Sequence, residues 1–180
     1  SQSSLTVLFV VVFTELIGFG IIIPVLPQLA KSFQLNYFSL GVLMAAFSFA
    51  QFIAAPFLGH LSDRVGRKPV LIFSKLGTML SYILLAYAHT YWLFLLARLF
   101  DGFTGGNIAV ARAYICDSTT KKGRAKGMAI IGISFGLGFI IGPALGGLLY
   151  QERHGQWLIS LVAAGLSGFA MLLTIVMLKE

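Results

Sequence analysis

Six long apolar runs, separated by short connections that hold most of the charge, constrain the fold of this chain more than any other feature. Each run has roughly 20 residues, the length that an α-helix needs to cross the hydrocarbon core of a bilayer. Backbone groups in lipid must bond within their own segment, and the sequence lacks the alternation of a barrel strand. We therefore predict an all-α membrane protein whose six helices, called spans 1 to 6, form one bundle and cover residues of about 5–30, 39–61, 69–88, 92–115, 126–150 and 157–178.

The composition excludes several other classes of protein. The chain is 58% hydrophobic and 11% charged, with a mean hydropathy of +0.91, which is far from the average soluble domain. The net charge of +7 does not indicate nucleic acid, because most of the positive charge falls in two short connections rather than on a soluble surface. A single cysteine, Cys116, and histidines in separate connections favour neither a disulfide nor a metal, and we expect no cofactor.

The distribution of lysine and arginine predicts the orientation. Short basic connections stay in the cytoplasm. Both chain ends and the connections 62–68 and 117–125 are therefore expected inside, and 31–38, 89–91 and 151–156 outside, in a multi-pass protein of the plasma membrane, most simply the bacterial inner membrane. The first run is too long for a signal-peptide core, and we expect it to be retained. Seven lysines and arginines lie at the connections expected inside, and two lie in the connections expected outside. The seven are Arg64, Arg67, Lys68, Lys121, Lys122, Arg124 and Lys126, and the two are Lys31 and Arg153.

Span 1 carries an acid near its middle. At about 1.5 Å per residue, Glu15 lies about 15 Å into the membrane, where an ionised carboxylate must be paired or else protonated. A structural ion pair and a functional proton site both satisfy this requirement. The following Gly18, Gly20, Pro24 and Pro27 predict a bent or mobile outer half of the span.

Span 4 places charges on one predicted stripe. Arg98, Asp101, Gly105, Ala109 and Arg112 are spaced by three, four, four and three residues, so one continuous helix would align them. Such a stripe must face protein or water. Arg98 and Asp101 are also close enough in sequence to neutralise each other locally. Because Asp101 reaches about the depth of Glu15, we predict that these two carboxylates and the Arg98 guanidinium converge at the level where transporters bind substrates and coupling ions.

Other side chains at this level are candidates for contact with a ligand. Gln51 in span 2 lies among phenylalanines, where it bonds a neighbouring helix or a substrate. Lys75 in span 3 is expected to extend its stem to the cytoplasmic surface and to need no function. The predicted substrate-binding residues are Gln51, Phe47, Asn107, Arg112 and Phe135.

Span 5 contains glycines that recur every four residues. Gly138, Gly142 and Gly146 predict a smooth groove for another helix, and Pro143 removes a backbone donor. A static packing face and a flexing helix both fit this pattern.

Three motifs resemble those of the major facilitator superfamily, in particular the drug/proton antiporters related to the tetracycline exporters. The pattern G-x-L-S-D-R-x-G-R-K at Gly59–Lys68 resembles the loop between helices 2 and 3 of that superfamily. Arg98-Leu99-Phe100-Asp101-Gly102 resembles its helix 4 motif, and Gly138-x-x-x-Gly142-Pro143-x-x-Gly146-Gly147 resembles the helix 5 motif of antiporters. Such transporters have two six-helix bundles, so the resemblance implies that this chain is the N-terminal bundle and lacks the second.

The resemblance also implies roles for particular residues. The proton-coupling residues would be Glu15, Asp101 and Arg98, with Arg98 tuning a neighbouring proton carrier. A gating network would comprise Asp63, Arg64, Arg67 and Asp117, and the helix-packing motif would be Gly138, Gly142, Pro143 and Gly146. Asp101 and Arg112 depart from the pattern, since the related exporters tend to have neutral or small residues there. The departures favour a different or charged substrate over a tetracycline-like one.

The implied function is transport without covalent chemistry. The chain is expected to be part of a proton-coupled exporter of amphipathic organic compounds, not an enzyme. Its expected partners are the lipid bilayer, a small-molecule substrate, protons, and a second six-helix bundle that is either the missing C-terminal half or a homodimer mate. The alternatives are a facilitator or proton symporter of a polar metabolite, and a non-transporting half or scaffold that acts only with a partner bundle.

Overall fold

The computed structural model describes residues 2–150 and 154–179, and these residues form an all-α bundle without a strand. Six helical spans in this part of the chain are long and apolar enough to cross a membrane, which confirms the predicted fold class. Their helices are Gln2–Ile21, a 3₁₀ turn Ile23–Val25 and Leu26–Ser32 in span 1; Tyr37–Val65 in span 2; Arg67–Ala86 in span 3; Tyr91–Thr104 and Asn107–Ser118 in span 4; Lys121–Leu149 in span 5; and Gly155–Met177 in span 6.

Polar side chains and one glycine set the ends of the spans. Asn36, Thr90 and Thr120 each accept a hydrogen bond from a backbone N–H of the first turn that follows, which satisfies donors that a helix start leaves free. The predicted connection 62–68 is almost entirely helical. Only Gly66 separates spans 2 and 3, and its φ of 108° is a conformation that glycine adopts without strain.

Two spans are interrupted. The α-helix of span 1 is interrupted by a 3₁₀ turn that contains Pro24 and lies just before Pro27, in the outer half where the bend was predicted. Span 4 ends one helix at Thr104 and begins another at Asn107, so the prediction of one continuous helix is wrong. The adjacent Gly105 and Gly106 account for the break, because a glycine pair weakens the helical ladder.

Span 1 lies in the middle of the bundle and packs mainly against spans 5 and 6. Span 3 packs against spans 6 and 4, and span 2 packs against span 4. Spans 2 and 5 are the least buried and carry many exposed apolar side chains. Two apolar clusters fill the bundle, one towards each end. We call the end where span 2 meets span 3 and span 4 meets span 5 the basic end.

Candidate functional site

Glu15 forms the centre of a buried polar cluster in the middle of the bundle. Its side chain is almost fully buried, and its Oε2 atom lies 2.8 Å from the Lys75 Nζ atom of span 3. Asn107, the first residue after the break in span 4, donates its side-chain N–H to the same oxygen over 2.8 Å. Lys75 also donates to the Thr14 hydroxyl over 3.2 Å. Three spans therefore meet at one carboxylate oxygen.

The expectation for Lys75 is wrong. Instead of extending to the surface, its side chain has an exposed fraction of 0% and forms an ion pair across to span 1. The reason is electrostatic: a carboxylate at mid-depth is costly unless a cation compensates it, and Lys75 supplies that cation. A depth count could have found the pair, because Lys75 lies about 12 Å inward from Arg67 and Glu15 about 15 Å inward from Leu5.

Arg98 and Asp101 form a second buried pair in the same layer. Arg98 Nη1 lies 3.4 Å from Asp101 Oδ2, so the local neutralisation considered from the sequence is present. The guanidinium also lies over the Phe47 ring, 4.7 Å from its centre. The other carboxylate oxygen of Asp101 is buried and has no hydrogen-bond partner among the described residues. Asp101 therefore has one side-chain ion pair, at 3.4 Å, whereas Glu15 has two side-chain contacts at 2.8 Å.

The charged residues predicted to share one stripe on span 4 differ in their exposure. Arg98 and Asp101 are buried, whereas Arg112 is exposed on the second helix of the span. The break at Gly105–Gly106 places Arg112 on a different helix from Arg98 and Asp101. Gln51 bridges this break by donating to the Gly105 carbonyl oxygen over 2.7 Å. The interpretation of Gln51 as a residue that bonds a neighbouring helix is confirmed.

A cavity of about 210 Å³ opens beside Glu15. A neighbouring cavity of about 320 Å³ shares Gln51 with it and reaches Arg112. Of the five predicted substrate-binding residues, Asn107 contributes to neither wall because it is fully buried against Glu15. Residues that line the first cavity, which we call the Glu15 cavity, include Glu15, Phe19, Phe47, Gln51, Phe135 and Phe139.

A larger cavity, of about 720 Å³, lies at the opposite end from the basic end. Its lining includes His89, His154 and Trp157 and none of the predicted site residues. Within the described ranges, no group of three or more histidine, cysteine, aspartate or glutamate side chains is placed to hold a metal. The candidate site is the charged cluster around Glu15, which combines two buried ion pairs with an adjoining cavity.

Arg67 organises a separate network at the basic end. Its Nη2 atom lies 2.5 Å from Asp63 Oδ1 and 2.8 Å from Asp117 Oδ2, and its Nη1 donates to the Ser62 hydroxyl. The network joins the end of span 2 to the end of span 4 through the first residue of span 3. Arg64 is exposed and forms no ion pair with any described residue. Three of the four predicted gating residues are thus brought together.

Three glycines of span 5, Gly138, Gly142 and Gly146, face span 1. Gly142 lies against Gly20 and the Ile17 carbonyl, and a methyl group built on Gly138 would be 2.5 Å from the Leu16 Cβ atom. A methyl group on Gly146 would meet the Ile21 carbonyl oxygen. We call this contact the span 1–5 seam. It confirms the predicted groove, and it holds the helix that carries Glu15 at close range.

The helices are long enough to span a membrane, they bury balanced charges at mid-depth, and a cavity opens onto one of those charges. This combination is typical of a membrane transport protein. The sequence assigns the family: residues 8–180 match the Major Facilitator Superfamily, and the chain belongs to it.

Proteins of similar sequence match this chain over only part of their own length. The class B tetracycline resistance protein of Escherichia coli is 43% identical over 151 residues, which are 81% of this chain and 37% of that protein. Human major facilitator superfamily domain-containing protein 10 is 32% identical over 188 residues, covering 88% of this chain and 41% of that protein. The chain thus spans less than half the length of these relatives.

Solved structures show the same fold. The human organic anion transporter MFSD10 (TETRAN) superposes with a TM-score of 0.89 at 27% identity, over 99% of this chain and 48% of that one. A bacterial homolog of the human lysosomal transporter Spinster, in an inward-facing and unoccupied conformation, gives 0.90 at 16% identity, over 99% and 43%.

Proposed function

We propose that this chain is one six-helix half of a proton-coupled exporter of amphipathic organic compounds, working with a second six-helix bundle. Support comes from its similarity to tetracycline resistance proteins and from the position of Glu15. A buried carboxylate that is part of an ion pair and borders a cavity is the kind of group with which transporters couple proton movement to substrate movement. We call the chain together with its second bundle the complete transporter.

The proposal gives each group of residues a role. Glu15, Asp101 and Arg98 form the proton-coupling cluster, and the Glu15 cavity receives the apolar body of the substrate on its aromatic rings. Asp63, Arg67 and Asp117 form a gate at the basic end, which lies in the cytoplasm together with both chain ends. The span 1–5 seam lets the helices move against each other, because small residues permit close contact without interlocked side chains.

The test is transport by the complete transporter in proteoliposomes with an imposed pH gradient. We expect the gradient to drive export, and a protonophore to abolish it. Glu15→Gln removes the charge but keeps an oxygen for Asn107, so export should fall to the level of protein-free liposomes while insertion persists. Because this change leaves Lys75 unpaired, the double variant Glu15→Gln/Lys75→Met serves as the folded control. Unchanged gradient-driven export in both variants would remove Glu15 from the mechanism.

One observation favours a second candidate function. Arg112 places an exposed positive charge in the wall of the cavity next to the Glu15 cavity, which suits a polar or negatively charged metabolite better than a neutral drug. A facilitator or proton symporter of such a metabolite would use the same fold. Flux that persists without a pH gradient would select the facilitator, and inward flux that accompanies protons would select the symporter.

A further inference from the structure

The Lys75 ammonium has an unusually enclosed position for a charged group. Its side chain is fully buried, and both of its polar side-chain contacts, Glu15 and Thr14, lie on span 1. Thr14 is neutral and already donates its hydroxyl to backbone carbonyls of its own helix. The charge of Lys75 therefore depends on the Glu15 carboxylate, and nothing else in contact with it is anionic among the described residues.

The two oxygens of Glu15 differ in what they face. Lys75 and Asn107 both bind Oε2, and no described residue donates a hydrogen bond to Oε1. Glu15 also forms part of the wall of a cavity that Phe135 and Phe139 line, whereas the Phe19 and Phe47 rings in the same wall already lie next to the Arg98 guanidinium. A carboxylate oxygen next to aromatic rings attracts a positively charged group, because both the charge and the ring faces favour it. Glu15 thus binds Lys75 through Oε2 and borders a cavity of about 210 Å³ that can receive a second cation, while its Oε1 lies next to Gly105.

The geometry points to Lys75 as the carrier of the exchanged proton, displaced from Glu15 by a ligand that bears a single positive charge. This inference rests on the proposed function and names the atom at which the proton is held. Glu15 stays ionised throughout, and the ligand and the Lys75 ammonium compete for it.

Charge and protons are both conserved in the exchange step. In the resting site, Lys75 carries three protons on nitrogen and pairs with the Glu15 carboxylate, so the pair is neutral. When a ligand cation binds Glu15, one carboxylate faces two cations in a medium of low dielectric constant, and a buried ammonium without a counter-ion releases its proton. The products are a neutral Lys75 amine, a free proton and the ligand cation paired with Glu15. Total charge is unchanged, and one cation is exchanged for one proton.

The other charges near this site do not replace Glu15. Asp101 of span 4 lies within electrostatic reach of both Glu15 and Lys75, but Arg98 pairs with it. Tyr82, on the same span as Lys75, is neutral when protonated and interacts with Asp101. Span 6 contributes only the Ser167 hydroxyl, which donates to the Lys75 backbone carbonyl over 3.0 Å. Arg112 is exposed and borders the neighbouring cavity.

The discriminating variant is Lys75→Arg in the complete transporter. A guanidinium keeps the positive charge but does not give up a proton at any accessible pH. The probe is N-methyl-4-phenylpyridinium, a permanent aromatic cation with no dissociable proton. In weakly buffered detergent solution with a pH indicator, we expect the wild type to release about one proton for each cation bound. Lys75→Arg should release none, and its gradient-driven exchange should fall to background.

Matched controls separate this role from a structural one. Lys126→Arg makes the same change at an exposed position and should behave as the wild type. If Lys75 only supplied a counter-ion for Glu15, Lys75→Arg would retain both proton release and exchange, and that result would overturn the inference. Should Lys75→Arg fail to fold, the neutral pair Glu15→Gln/Lys75→Met decides. It should neither bind the probe nor release protons, and release at the wild-type level would equally overturn the inference.

The experiment distinguishes this inference from the proposed function. If a pH gradient drives export of neutral or anionic amphipathic compounds while the cation releases no proton, the inference fails and the proposed function stands. If the gradient drives no flux of any such compound, the proposed function itself fails.

Discussion

The buried pair of Glu15 and Lys75 and the network around Arg67 use the same chemistry in two different places. Each links separate spans, and in each a nitrogen and an oxygen lie 2.8 Å apart. Their surroundings differ. The side chains of Lys75 and Glu15 are 0% and 3% exposed, whereas those of Asp63 and Asp117 are 55% and 60% exposed.

This difference changes what each pair does for the protein. An exposed ion pair contributes little net free energy, because water screens the charges and holding two long side chains in place costs entropy. A buried pair is hardly screened, so removal of one partner leaves an uncompensated charge in a low dielectric. Equal distances therefore do not mean equal contributions to stability. The pair in the middle should determine whether the bundle folds, and the network at the basic end should influence only which conformation it adopts.

The largest expected effect comes from Lys75→Met, which leaves Glu15 buried without a cation. We expect the free energy of unfolding to fall by about 3–5 kcal/mol. The double variant Glu15→Gln/Lys75→Met removes both charges and should recover most of that loss. Denaturant or thermal unfolding of the purified protein in detergent measures both values.

Lys126→Met provides the control, because Lys126 is exposed at the start of span 5. The proposed difference between the two networks would be wrong if Lys75→Met lowered the free energy of unfolding no more than this control does. It would also be wrong if the double variant were no more stable than Lys75→Met alone. Either result would mean that Lys75 does not compensate Glu15 in the folded protein.

The sequence was sufficient to predict those parts of the structure that depend on local pattern. Apolar run length predicted six spans, the prolines of span 1 indicated its irregular outer half, and the spacing of Gly138, Gly142 and Gly146 predicted the span 1–5 seam. The partners of Glu15 were not predictable in this way. They lie 60 and 92 residues further along the chain, and their contact depends on how three spans pack.

The error at Lys75 and the error on span 4 have different physical origins. A lysine one or two turns inside a span can extend outward or turn inward, and only the presence of Glu15 on a neighbouring helix decides between the two. The span 4 stripe assumed an unbroken helix, but Gly105 and Gly106 interrupt it, and Arg112 is exposed on the second helix while Asp101 is buried on the first. A glycine pair next to intramembrane charges was a visible signal for the break.

We expect an intermediate loss of stability from Gly146→Ala, a substitution that changes the packing between helices without changing any charge. A methyl group there would meet the Ile21 carbonyl oxygen and push span 1, which carries Glu15, away from span 5. Because the obstacle is backbone and not a flexible side chain, we expect a loss of about 1–3 kcal/mol in the free energy of unfolding. The charges themselves stay in place.

The neighbouring glycine is a matched control. A methyl group on Gly147 meets nothing within 4 Å, so Gly147→Ala should keep stability or raise it by up to about 1 kcal/mol. Equal losses at both positions would show that loss of glycine flexibility matters and that the close contact at the span 1–5 seam does not. The seam would then not explain how Glu15 is held in position.

The smallest change in stability is expected from Arg67→Ala at the basic end. Because Asp63 and Asp117 are more than half exposed, the free energy of unfolding should fall by about 1 kcal/mol or less. High salt should remove most of that difference, whereas it should leave the effect of Lys75→Met unchanged, since buried charges are screened much less. Unfolding of both variants at low and high ionic strength checks this contrast.

A second measurement tests the gate itself. If the Arg67 network holds the basic end closed in one conformation, its loss should alter the accessibility of a cysteine placed at Ser48, in the wall shared by both cavities, to a membrane-impermeant thiol reagent. The same change at Arg64, which pairs with no described residue, should leave the accessibility as it was. Equal accessibility in both variants would mean that the network fixes local geometry at the basic end without controlling the cavity. The two ion-pair networks would then differ in stability alone, and the conformational role would have to lie elsewhere.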